Sequence, residues 1–222
     1  MTNKPGNHPK KLSRYKWKKL GVESLRNALR LHQDSISLFH LESFPSAFQL
    51  SVLALEEFAK AKWVEHYYYS CITNDGFPDV EFEQNWLKLL YIHSEKQFGF
   101  VARNMFEYSP KLVDAMRRGE LERRKQQAVY VGFDRDKKTI MTEGRISLPS
   151  KIKFNDAKRM ISWINAEFML ARRLLKFHES YFGIEAMDEI LLSAAADCLE
   201  KWPFQSRMRT RSHLRSHIGR VT

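Results

Sequence analysis

Ser46–Val64, SAFQLSVLALEEFAKAKWV, decides the reading of this chain. The stretch is apolar around nearly the whole circumference of a helix, yet it carries Glu56, Glu57 and Lys60. At about 100° per residue, Leu50, Leu53, Ala54, Ala61 and Val64 fall in one sector, and Glu57 lies in its middle. A carboxylate among apolar neighbours is costly unless a cation or donor satisfies it. Glu57 is therefore expected to point inward. Glu56 and Lys60 stand at i,i+4, a spacing that pairs on a helix surface.

The elements around this helix are also predicted to be helical. Residues 1–19 read as a basic disordered arm, and Val22–Leu41 as a first helix. Pro45 suits a first turn, and Ser46 with Gln49 makes a capping box for the second helix, which runs to about Ser70. A turn-rich loop, Thr73–Pro78, leads to one long third helix over Asp79–Glu107. Ser109-Pro110 opens a fourth helix. AVYVGFD at 128–134 then changes to a β-like pattern, so a short hairpin or irregular excursion is expected near 128–154. Asn155 or Asp156 caps a fifth helix, whose apolar positions Ala157, Ile161, Ile164, Phe168, Ala171, Leu175 and Phe182 step by three and four, with one step broken at His178. Gly183 ends it. A sixth helix covers Ile184–Lys201, and Pro203 stops it. The predicted fold is all-α: a bundle of about five to six helices, with a domain over 20–203 and a tail over 204–222.

Charge divides the 222-residue chain in the same way. Residues 1–20 hold seven Lys/Arg and no acid, and residues 201–222 hold six and no acid. The stretch between them sets 24 Lys/Arg against 26 Asp/Glu, so the net charge of +11 sits at the ends. Basic ends of this kind bind RNA or DNA phosphates through counterion release, or serve only as solubilising tails. Arg207, Arg209, Arg211 and Arg215 are the phosphate-binding candidates of the tail. No apolar run is long enough to cross a membrane, and the basic N-terminus lacks the apolar run of a secretory signal. Cys71 and Cys198 are far apart without CxxC spacing, which fits free thiols in a cytoplasmic protein.

Two sets of residues could carry chemistry. On the wheel of the third helix, Trp86, Leu90, Gln97, Phe100 and Asn104 share a face with His93, and Lys96 lies at its edge. Glu57, His93 and Lys96 thus form one expected cluster between the second and third helices, flanked by Glu56 and Lys60. Such a cluster is either structural or a proton-transfer site with Glu57 tuning His93. The second set is Arg173 and His178, because an Arg–His pair can cleave RNA without a metal. That spacing is unspecific, since Arg26 with His32 and Arg211 with His217 also approximate it. Gly-rich phosphate loops, zinc ligand sets and nucleophile elbows are absent from the sequence. No metal or cofactor is expected.

These residues carry a resemblance. SAFQLSVLALEEFAKA resembles the signature helix of the AbiV family of bacterial abortive-infection proteins, with its Glu-Glu-x-x-Lys. His93-Ser94-Glu95-Lys96 is similar to the family's His-x-x-Lys. ERRKQQAVYVGFD at 122–134 resembles the later segment in which a charged helix runs into an aliphatic-Tyr-Val stretch. The matches keep the family's order over 46–134.

The family is grouped with the HEPN superfamily. The resemblance therefore implies a compact helical bundle, often a homodimer, and often a toxin-like, metal-independent ribonuclease with an Arg-x4-6-His motif, to which Arg173 and His178 conform in spacing. It implies antiphage defence by arresting the infected cell's RNA use or translation. The alternatives are a non-catalytic blocker that binds RNA or the ribosome, and a protein-interaction module activated by a phage protein. A phage-encoded activator or an antitoxin is the further partner implied. The amphipathic fifth helix is the expected dimer surface.

Overall fold

The computed structural model describes residues 10–204 and 206, apart from 75, 103–107, 134, 137–138, 141, 145 and 179. Its frame is a pair of long helices, α1 (Arg14–His40) and α2 (Phe44–Thr73), joined by a three-residue turn and therefore antiparallel. The turn is a Schellman closure: the Ser43 amide donates to the Leu38 carbonyl at 2.9 Å and the Glu42 amide to the Phe39 carbonyl at 3.0 Å. Glu42 takes the left-handed position, with φ of 58°.

Several expected boundaries shift. The first helix begins at Arg14, inside the stretch read as a disordered arm. Trp17 explains why: it is fully buried against Tyr67 and Trp86. Glu83, also fully buried, fastens the arm by accepting from the Leu12 amide at 2.6 Å and from the Trp17 indole at 3.3 Å. The second helix starts at Phe44, so Ser46 lies inside its first turn and the Ser46/Gln49 capping box does not form.

The long third helix is in fact two. α3 (Val80–Leu89) is capped by Asp79, whose side chain accepts from the Phe82 amide at 2.8 Å. The amides of Leu90, Tyr91 and Ile92 then bond three residues back, and α4 (His93–Ala102) begins. Neither Gly nor Pro marks the break. Gly119, with φ of 67°, divides the expected fourth helix into α5 (Pro110–Arg117) and α6 (Glu120–Gln127).

The 128–133 stretch is irregular rather than a strand, touching Ser147 through a bridge at Gly132. Among the described residues, the ladder is a two-residue antiparallel pair, β1 (Arg135–Asp136) with β2 (Thr139–Ile140).

α7 (Phe154–His178) runs through the core. Asp156 reaches back to the Lys153 amide at 3.0 Å, the reciprocal half of a capping box. Ala157, Ile161, Ile164, Phe168, Ala171 and Leu175 are all buried. That stripe is covered by α1 and α2, so it is not the free dimer surface expected of it. Gly183 lies beyond the end of α7. Its amide donates to Glu65 at 3.0 Å, and a Cβ there would run into the Tyr69 ring, so the position requires glycine for close approach rather than for helix termination. The expected sixth helix is α8 (Glu185–Leu192), a 3-10 turn over Ala194–Asp197, and α9 (Cys198–Lys201).

Candidate functional site: a buried carboxylate hub

α2 buries residues on both sides, against α1 and α7 on one and α4 and α6 on the other. A wheel cannot single out one inward sector in such a helix. Leu50 and Leu53, which marked the expected sector, are only half-buried. The face toward α4 carries Glu56 and Trp63. Gly99 of α4 admits the Trp63 ring, which a Cβ at that position would strike. This close approach brings α4 over Glu56.

Glu56, not Glu57, is therefore the inward carboxylate, with 1% of its surface exposed. Its Oε2 lies 2.5 Å from His93 Nδ1 and 3.5 Å from Lys96 Nζ. Its Oε1 accepts from Gln97 Nε2 at 2.8 Å and from Lys125 Nζ at 2.9 Å. Glu122 completes the group: its Oε2 lies 2.6 Å from Lys125 Nζ and accepts from Gln97 at 2.9 Å. Burial acts to raise the Glu122 carboxyl. The hydrogen bonds from Lys125 and Gln126, with the charges of Lys125 and His93, outweigh it and hold the group below the usual carboxylate range.

Glu57 instead pairs with Lys60 at 2.7 Å on the half-buried side of α2, so neither belongs to the hub. The expected Glu56–Lys60 pair does not form, because Glu56 turns to α4 and α6. Of the expected cluster, His93 and Lys96 meet Glu56. Lys125, Gln97 and Glu122 were missed as members. The wheel of the third helix puts Gln97 on the face of His93, and Glu122 and Lys125 sit in the charged segment that carries the resemblance, but only the docking of α6 turns them toward Glu56.

Two carboxylates meet two ammonium groups, so the hub balances in charge before His93 is counted. Lys96, Lys125 and Gln97 are buried, and His93 is the member whose side chain is half exposed, at 50%. With Nδ1 on the Glu56 carboxylate, Nε2 is the ring nitrogen left for the solvent side. A carboxylate that orients an imidazole in this way sets its tautomer and supports proton transfer at the other nitrogen.

Glu56, His93 and Glu122 also offer ligand atoms within 4.8 Å of one another. The donor set does not fit a divalent cation, however. The facing oxygens Glu56 Oε1 and Glu122 Oε2 already share the Lys125 ammonium and the Gln97 amide, and a metal would have to expel a buried positive charge.

The other expected residues stand apart from the hub. Arg173 is exposed on α7, and His178 is the last residue of that helix, its side chain outside the described residues. Positions five apart on a helix are turned about 140° from each other, so the pair does not share a face. Arg172, not Arg173, is engaged, donating to the Ala196 carbonyl at 2.7 Å and to Asp197 at 2.8 Å. Arg207, Arg209, Arg211 and Arg215 lie outside the described residues.

The AbiV family model, HEPN_AbiV, matches residues 16–169. The chain belongs to the AbiV family. The all-helical fold agrees with that membership, and AbiV proteins are abortive-infection, HEPN-type effectors. No curated protein and no solved structure matches the chain. All six hub residues fall within the AbiV match, whereas Arg173, His178 and the Arg-rich tail fall outside it. No helix among the described residues is long and apolar enough to cross a membrane.

Proposed function

We propose that this AbiV protein arrests the infected cell by acting on RNA or on translation, with the Glu56–His93 pair as its working centre. The observation that carries the reading is the 2.5 Å contact between a buried carboxylate and a half-exposed histidine, inside the part of the chain that defines the family. In a metal-independent ribonuclease, His93 Nε2 would accept the proton of a ribose 2′-hydroxyl while Glu56 stabilises the imidazolium that results. Lys96 and Lys125 would hold the Glu56 carboxylate in place. Arg173 and His178 are the fallback catalytic pair, and the basic ends the RNA-binding arms.

The test is expression in a phage-sensitive host, scored for growth, plaque number and RNA integrity, with His93→Gln and Glu56→Gln beside the parent. The expected result is growth arrest and fewer plaques for the parent, with intact RNA and normal growth for His93→Gln. Arrest by a folded His93→Gln protein, abolished instead by Arg173→Ala, would move the chemistry to the second pair.

A second reading is favoured by a separate observation. Val129, Tyr130, Val131 and Phe133 are exposed in near succession, a strip that suits contact with another protein. On this reading the chain is a non-catalytic module that blocks translation, with the strip receiving a second copy or a phage-encoded activator. Light scattering at micromolar concentration, with Tyr130→Ser and Val131→Ser as variants, separates dimer from monomer. RNA that stays intact during arrest favours this reading over the nuclease.

A further inference from the structure

On the face of α6 next to the hub, a cleft of about 320 Å³ opens among α2, α5, α6 and α7. That volume is at the small end for pockets that take organic ligands. Its body is apolar, with Phe48, Leu112, Met116 and Met160 among its walls. The acids on its lining are matched: Asp156 by Arg124 at 2.8 Å, and Glu120 by Arg118 at 2.8 Å. Arg124 also lies 5.1 Å from the centre of the Phe48 ring, which fixes that wall. Two lining cations, Lys111 and Arg159, make no hydrogen bond or ion pair among the described residues, although Arg159 acts on Asp156 through its charge. The cleft is therefore net positive where it meets solvent.

A third lining residue supplies an independent sign of a ligand. Trp163 is 2% exposed, and its indole Nε1 is buried without a hydrogen-bond partner among the described residues. A buried donor left unmet is destabilising, and native structures leave only a few. Trp202, in contrast, satisfies its indole with Ser162 at 2.9 Å.

We propose that this cleft is a binding site for a small organic anion with a flat apolar body of one or two rings. The rings lie against Phe48, Met116 and Met160, an acceptor on the ligand meets Trp163 Nε1–H, and the anionic group meets Lys111 and Arg159 at the mouth. The site is separate from the hub, and binding is read directly, so its outcome does not depend on the function proposed above.

The test is calorimetry of the full chain with 1-naphthyl phosphate, beside 1-naphthol and inorganic phosphate alone. The proposal requires that the naphthyl phosphate bind and that each half bind at least about tenfold more weakly, the difference expected for one charge-assisted contact. Lys111→Ala with Arg159→Ala, on the rim where folding is little affected, is expected to weaken binding about tenfold. Trp163→Phe keeps an aromatic side chain and removes the donor; it leaves a small cavity and lowers the melting temperature, and at a temperature where the variant stays folded it is expected to weaken binding several-fold. No heat with naphthyl phosphate overturns the proposal. So does equal binding of 1-naphthol, or binding that survives the rim variants unchanged.

Discussion

Glu56 Oε2 and His93 Nδ1 lie 2.5 Å apart, tying the middle of α2 to the first residue of α4. The same carboxylate holds Lys125 of α6, so one side chain joins three helices. Removing a partner from a buried ionic group leaves an uncompensated charge, which costs about 3–5 kcal/mol.

Coupling between these residues is therefore expected. In a double-mutant cycle, Glu56→Gln and His93→Gln should show an interaction energy of about 0.5–3 kcal/mol by urea denaturation. The parallel cycle of Glu57→Gln with His93→Gln should be additive within about 0.5 kcal/mol. Additivity in the first cycle would remove the hub; coupling in the second would restore Glu57 to it.

Gly99→Ala should destabilise the protein. The intrinsic helix preference for alanine favours the change by about 1 kcal/mol. Overpacking against the Trp63 ring opposes it by about 1–3 kcal/mol, and α4 must move off α2 to relieve the clash. Since α4 carries His93, the variant should also lose function in proportion to its loss of thermal stability.

Glu42→Gly should stabilise it. An L-residue in the left-handed region costs about 1–2 kcal/mol, and Glu42 sits there with φ of 58°. Glycine removes that cost but adds freedom to the unfolded chain, so a net gain of about 0.5–1 kcal/mol is expected. A melting temperature raised by a few degrees would confirm it; a lowered one would mean that Glu42 makes a compensating contact.

His32 makes the fold acid-sensitive. Burial pushes its pKa down to about 4 from 6.5, with the hydrogen bond to Asn165 opposing the shift. The folded state keeps the ring neutral while the unfolded chain takes up a proton below pH 6.5. The stability is therefore complete above pH 6.5 and is lost as pH falls toward 4, at about 1.4 kcal/mol per pH unit. Denaturation of the parent and of His32→Gln between pH 7 and 4.5 should show a shallower pH slope in the variant. Equal slopes would place the acid sensitivity elsewhere.

The local pattern was legible where it depended on one face of one element. The stripe on α7 from Ala157 to Leu175 marks a helix with a single buried side, and all its named members inside the helix are buried. The glutamate-bearing apolar helix could likewise be read from the chain, as could the AbiV family through its motifs. Those features rest on near-neighbour geometry and on residue types at fixed spacing.

The choice between Glu56 and Glu57 could not be read in that way. Both sides of α2 are covered, so the apolar pattern has no direction, and a 100° step decides between a hub and a surface pair. The break at Leu90–Ile92 carries no Gly or Pro and exists because α3 packs toward Trp17 while α4 packs over Glu56. Lys125 looks like any lysine on a polar helix until α6 docks and its ammonium reaches two carboxylates from different helices. The sequence by itself determined that this protein is an all-helical AbiV chain needing partners for a buried acid. Which acid, and which partners, were decided by long-range contacts, because the energy of a buried charge depends on groups brought together only when the helices pack.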